Sequence, residues 1–138
     1  MFVLDTNVVS ELRKVRLGSA NPNVARWADA VNTVDLYLSA ITVHELELGI
    51  RLAERRDPRQ GAVFRAWMTS QVLPAFAGRI LPVDTAVALR SAGLHDPAPR
   101  PFRDALIAAT ALVHGMTVVT RNVTDFENTG VAWLNPWS

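Results

Sequence analysis

The sequence predicts an α/β fold with a five-stranded, mainly parallel sheet flanked by helices on both faces, because short apolar runs alternate along the chain with stretches of helical periodicity. The first run, Phe2-Val3-Leu4, is continuous rather than alternating, as in a strand buried on both sides of a parallel sheet. The stretch Ala105 to Val113 is apolar almost all round, as in a helix sunk into the core. With 138 residues the chain fits one domain, 1–138, and has enough apolar material to fold without staples.

The elements follow in order. After the first strand a helix is predicted from about Val8 to Lys14. Beyond the Asn21-Pro22-Asn23 turn comes a short helix carrying Val24, Trp27 and Ala28, and then a strand, Leu36 to Ser39. A long helix is expected over Thr42 to Arg56, broken at Asp57-Pro58. A further helix should run from Gln60 to Leu73, before Pro74. Arg79 to Leu81 reads as the third strand. Asp84 can cap a helix reaching Ala92, and a loop with Pro97, Pro99 and Pro101 leads to a helix from Arg103 to His114. Thr117 to Thr120 and Val131 to Leu134 complete the strands.

Composition narrows the chemistry. Cysteine is absent, which removes disulfides, thiolate metal sites and cysteine nucleophiles together, so any metal must be held by oxygen or imidazole. The start, MFVLD, lacks a basic segment and is cut by Asp5, and no apolar run approaches the roughly 20 residues of a membrane span. A cytoplasmic protein is expected. Net charge is only +1, so nucleic acid would have to be held by a local patch, and thirteen of the fourteen basic residues are arginine.

Four acidic regions stand out by position. Asp5 ends a buried strand, where open parallel sheets bind ligands, although capping the next helix explains it equally well. Glu45 is predicted to project from the middle of an apolar face made by Ile41, Leu48 and Leu52 on one side and Leu46, Gly49 and Ala53 on the other. A capping box, Thr42-Val43-His44-Glu45, is the competing role. Glu47, Arg51, Glu54 and Arg55 fall on the opposite face as ordinary solvated charges. Asp104 opens the apolar helix, where it either complements the helix dipole or needs a cation nearby. The fourth region is Thr120-Arg121-Asn122-Val123-Thr124-Asp125, directly after a strand and otherwise a polar turn.

In an alternating fold all four regions share one rim. Several carboxylates converging there require a hard cation, and oxygen ligation suits Mg²⁺ or Mn²⁺. Such an ion activates water and stabilises charge on a phosphodiester, so phosphodiester hydrolysis is the chemistry expected.

The segments LDTNVVSEL, ITVHELELG, RDALIAATAL and TRNVTDFENTGV, taken in order, resemble the successive motifs of PIN-domain nucleases, especially VapC-type toxins and their FitB-like relatives. The resemblance covers nearly the whole chain. It implies that Asp5 and Asp104 bind the metal directly and that Glu45 does so directly or through water. Asp125 or Asn122 would fill the fourth position. Thr6 and Asn7 would support Asp5 and the attacking water, and Arg121 would meet a phosphate or orient its loop. It also implies an RNA substrate, a homodimer and an antitoxin that blocks the site.

Rival chemistries fit less well. His44-Glu45-Leu46-Glu47-Leu48 begins like a zinc-protease motif but has Leu48 where the second histidine must stand. His95 lies in the proline loop and His114 at a helix end, and neither a GxSxG elbow nor a glycine-rich phosphate loop is present. An aspartyl phosphatase built on Asp5 would need an acid at Asn7, and an amide cannot supply the proton. A catalytically inactive, RNA-binding adaptor of the same fold is the non-enzymatic alternative, with Arg51, Arg55 and Arg59 as a helical stripe that is otherwise a solvated face. The segments around Trp27 and Trp67 are candidate partner surfaces, unless the tryptophans simply fill the core.

Overall fold

A computed structural model describes residues 1–138. Its sheet is parallel throughout, with strand order β3-β2-β1-β4-β5. The strands are β1 (Phe2–Leu4), β2 (Leu36–Ser39), β3 (Ile80–Leu81), β4 (Thr117–Val119) and β5 (Trp133–Leu134). The chain first builds outward from β1 through β2 to β3, then crosses to the other side of β1 for β4 and β5. The crevice between β1 and β4 is therefore the topological switch point, where open α/β sheets leave room for a ligand beyond the strands' carboxyl ends.

Two-sided burial explains the continuous apolar runs. Leu4, Leu36, Leu38 and Val119 enter one hydrophobic cluster with Val8, Val9, Leu46 and Ile50, whereas Val3 and Val118 enter a second with Ile107, Ala108 and Ala111. Successive strand residues thus alternate between the two layers, as period-2 geometry demands. The helices are α1 (Thr6–Leu17), α2 (Pro22–Ala30), α3 (Ala40–Arg56), α4 (Pro58–Trp67), the short α5 (Leu73–Ala75), α6 (Thr85–Leu94) and α7 (Phe102–His114). In α7 every residue from Ala105 to Ala111 is buried, in accord with its all-round apolar character. No helix is long and apolar enough to cross a membrane.

Several boundaries differ from those expected, each for a local reason. Helix α1 starts at Thr6 rather than Val8 because Asp5 caps it, and it continues past Lys14 to Gly18, whose φ of 75° closes the end. Helix α3 starts at Ala40, capped by the Ser39 hydroxyl, so the Thr42 capping box does not form. Thr42 instead lies inside the helix and donates to the Leu4 carbonyl at 3.3 Å, tying α3 to the end of β1. The expected stop before Pro74 is replaced by a π-helical stretch, Met68–Val72, that leads into α5. There the ladder has already widened, with the Leu73 N–H reaching back to Met68, and the proline, which offers no N–H, is accommodated. Strands β3, β4 and β5 are each shorter than expected by one or two residues.

The charges on α3 also differ from expectation. Its buried positions are Thr42, Leu46, Ile50 and Ala53, so Glu45 lies at the flank of the core stripe, and Leu52 is 53% exposed. Glu47 and Glu54 are not free solvated charges. Arg65 of α4 bridges them, at 2.5 Å and 2.9 Å, and Arg51 adds a 2.6 Å contact to Glu47. Hydrogen bonds from Arg65 and Arg51 hold the Glu47 carboxyl down at about 2.

This clamp depends on backbone proximity. A Cβ built at Gly61 would lie 2.4 Å from the Glu54 Cα, so α3 and α4 touch there main chain to main chain. Gly61→Ala is expected to push α4 away and destabilise the fold by about 1–3 kcal/mol. Gly93→Ala, where an added Cβ meets nothing within 4 Å, should instead stabilise α6 by about 0.5–1 kcal/mol. Urea denaturation of the two variants checks both signs, and equal effects would contradict the close crossing.

Candidate active site

The site begins where β1 ends. The Leu4↔Val119 register sets Asp5 opposite Thr120, and the Asp5 N–H donates to the Val119 carbonyl at 2.9 Å. Asp5 is 6% exposed. One of its carboxylate oxygens accepts from the Thr6 N–H at 2.8 Å, as a helix cap does. The other accepts from the Thr120 hydroxyl at 2.8 Å and the Asn7 side-chain amide at 3.2 Å. The capping and site roles that sequence left as alternatives therefore fall on different oxygens of one side chain.

Each surrounding element adds one group. The Thr6 hydroxyl donates to Glu45 Oε1 at 3.0 Å, linking the first turn of α1 to α3. Arg103 of α7 lies 3.6 Å from Glu45 Oε2 and is the one cation salt-bridged to the cluster. Asp104 follows on the same turn, half-buried, at the start of the buried helix. After β4, Thr120 accepts from the Asn122 N–H at 2.9 Å, and Asn7 accepts from the Arg121 N–H at 3.2 Å, which pins the loop against α1. The chain then forms a 3-10 turn, Val123–Asp125, which brings the Asp125 charge close enough to raise the pKa of Asp104.

Electrostatics shows which acids influence one another. Burial raises the pKa of Asp5, hydrogen bonds from Thr120 and Thr6 oppose the rise, and repulsion from Glu45 and Asp125 adds to it. Asp104 is pushed up to about 6, first by burial and then by the charges of Asp125, Asp5 and Glu45, against a smaller pull from Arg103. Asp5, Glu45, Asp104 and Asp125 thus feel one another across the rim. Asn122 is exposed and gives the cluster only its backbone N–H, through Thr120. Between the two residues considered for the fourth position, Asp125 is the one in electrostatic contact. The Arg121 guanidinium is turned to the Trp137 ring, 5.4 Å from its centroid.

Thr120 and Arg103 acquire parts that sequence did not assign. Thr120 lies within the fourth acidic region, but its partnership with Asp5 follows from strand register. Arg103 precedes Asp104, and its pairing with Glu45 depends on how α3 and α7 meet.

The donor set is all oxygen, crowded with like charge and short of cations, which suits a hard divalent ion. No three of the side chains converge tightly enough to chelate a bare ion by themselves. Mg²⁺, which commonly keeps several waters and binds through one or two carboxylates, does not need such convergence. Zinc is disfavoured by the same set, since no histidine lies among these residues.

Comparison with known proteins agrees with this reading. The PIN domain family profile matches residues 2–131. The chain is 42% identical over 142 residues to the VapC ribonuclease Y4jK of Sinorhizobium fredii, covering 99% of this chain and 98% of that protein. It is 40% identical over 142 residues to the toxin FitB of Neisseria gonorrhoeae, covering 99% of each. Among solved structures, FitAcB from Neisseria gonorrhoeae superposes with a TM-score of 0.89 at 40% identity over 99% of both chains. Ribonucleases of this kind generally depend on a divalent metal ion. Because the matched span runs from the first strand past the last acidic residue of the rim, the chain belongs to the PIN-domain family.

Proposed function

We propose that this protein is a divalent-metal-dependent endoribonuclease, the toxin of a toxin–antitoxin pair, that cuts RNA at the Asp5, Glu45, Asp104 and Asp125 cluster. The observation that carries the reading is the set of four mutually repelling carboxylates at the switch point, with a single cation, Arg103, to offset them. The relatives named as a ribonuclease and as a toxin support it. An antitoxin that covers the site while the toxin is held inactive is the partner this reading entails. RNA hydrolysis takes place in the cytoplasm, with the chain as a homodimer.

Mg²⁺ or Mn²⁺ would be held by Asp5 and Asp104, with Asp125 proposed for the fourth position through the ion's retained water, and would supply positive charge for the phosphodiester and a lowered pKa for bound water. Glu45 orients the attacking water and takes its proton, while the Thr6 hydroxyl fixes one of its oxygens. The water oxygen bonds to phosphorus as the P–O3′ bond breaks, and the departing 3′ oxygen takes a proton from solvent, leaving 5′-phosphate and 3′-hydroxyl ends. Thr120 and Asn7 are positioning residues that hold Asp5 in one rotamer. Asn7 in place of a second acid argues against phosphatase chemistry. Retention of all four carboxylates argues against an inert adaptor.

Asp104→Asn is expected to fold normally and to cut RNA at least about 100-fold more slowly than wild type. Cleavage of a mixed RNA substrate with added Mg²⁺ checks this, and undiminished activity would move the site elsewhere. Products ending in 2′,3′-cyclic phosphate would exclude attack by water. Thr120→Val should weaken Mn²⁺ binding roughly 10-fold by freeing the Asp5 carboxylate, measured by calorimetry with the fold checked by circular dichroism.

The raised Asp104 pKa fixes a pH dependence. With a folded value of about 6 against an ordinary 3.8, the folded state holds a proton that the unfolded state has lost between those two values. Stability from this group therefore falls as pH rises from about 4 to 6 and is level above. Metal-free wild type should lose stability relative to Asp104→Asn across that window, and Mg²⁺ should remove the loss. Urea unfolding from pH 4 to 8 decides it, a gap that stays constant being the contrary result.

A further inference from the structure

Beside the carboxylate cluster, between α1, α3 and α4, lies a cavity of about 380 Å³. Thr6 and Glu45 form the wall that it shares with the cluster. Leu46 and Ile50 supply apolar floor, and Phe64 and Trp67 of α4 add two aromatic rings. Arg13 completes the lining from α1, its guanidinium 4.7 Å from the Phe64 ring centroid. No carboxylate of the chain pairs with Arg13, in contrast to Lys14, which contacts Glu11 at 3.4 Å. Gly49 lies on the rim with no side chain, and a Cβ there would meet nothing within 4 Å.

We propose that this cavity receives the nucleobase of a nucleotide flanking the scissile phosphate, and so sets where in an RNA the protein cuts. The inference rests on the ribonuclease reading above and deepens it. A group seated there shares Glu45 and Thr6 with the site of water attack, so occupant and reacting phosphate belong to one continuous ligand. Single-stranded RNA is read by unstacked bases laid on aromatic side chains, with cations meeting the adjoining phosphates. Trp67 provides the first element, and Arg13, which lies over the Phe64 ring and has no carboxylate partner, the second. The volume lies within the range of about 300–1,000 Å³ typical of small-ligand pockets, enough for one nucleoside. A guanidinium with no carboxylate partner favours an anionic occupant such as RNA over a purely apolar protein segment, and an antitoxin covering the carboxylates would compete with RNA for the same floor.

The test compares cleavage of an oligoribonucleotide with that of versions carrying one abasic ribose at each position around the cut. Wild type is expected to lose about 10-fold or more in kcat/KM at one flanking position, the size of a single base–aromatic stack. Gly49→Leu, which puts a branched side chain into the cavity mouth, should cut the intact and the abasic substrate at equal rates. Arg13→Gln, a conservative change on a partly exposed side chain, should raise KM more than it lowers kcat.

Wild type that cuts RNA but ignores every abasic position overturns the subsite while leaving the ribonuclease reading intact. Full discrimination by Gly49→Leu overturns it too. If that variant keeps discrimination but no longer binds its antitoxin, the cavity is a protein-docking groove. Wild type that cuts no RNA at all removes the underlying reading, and the subsite with it.

Discussion

Like charges held close together in a partly dry crevice are the interaction on which the architecture turns. A parallel sheet buried on both faces offers one place for polar chemistry, the crevice where its winding reverses. Here that crevice lies between β1 and β4, and the chain delivers Asp5, Glu45, Asp104 and Asp125 to it from four separate segments. Two responses are open to such a group: to keep protons that free carboxylates would lose, or to take up a cation. The elevated Asp104 carboxyl is the first response, and the all-oxygen donor set prepares the second.

Helix α3 carries both fates of a carboxylate within three turns. Glu47 and Glu54 are locked to Arg65 of α4, and Glu47 stays ionised down to about pH 2. These pairs hold the α3–α4 crossing, where Gly61 lets the backbones touch. Glu45, on the same helix, has a hydroxyl and one longer contact to an exposed arginine. Pairing stabilises the scaffold on one face, and incomplete pairing leaves the other able to react. The same crossing bounds the cavity next to Glu45, so the packing of α4 also shapes the ground beside the chemistry.

Much of this was legible in the chain. The continuous run Phe2–Leu4 and the all-apolar α7 identify a two-sided parallel sheet, and Asp5 and Asp104 stand out because charge interrupts burial at element boundaries. What periodicity missed depends on three-dimensional register. Thr120 matters because Leu4 pairs with Val119, a fact carried by neither residue alone. Ser39 rather than Thr42 caps α3 because the strand ends one residue before the helix begins, leaving Thr42 to reach the β1 carbonyl. Glu45 was expected at the centre of an apolar stripe and lies at its flank, since the core-facing line runs through Thr42, Leu46, Ile50 and Ala53. Asp125 and Asn122 look equivalent in sequence, but in the fold the Asp125 charge raises the pKa of Asp104 while the Asn122 side chain is exposed.

A metal ion bound at the rim replaces protons held by the crowded acids. Calorimetric titration with Mg²⁺ at pH 6, run in two buffers of different ionisation heat, counts those protons directly. Roughly half a proton or more should be released per ion bound at pH 6, fading towards zero by pH 8 and missing from Asp104→Asn. Binding heats identical in both buffers at pH 6 would mean that the acids were already ionised, and would contradict that exchange.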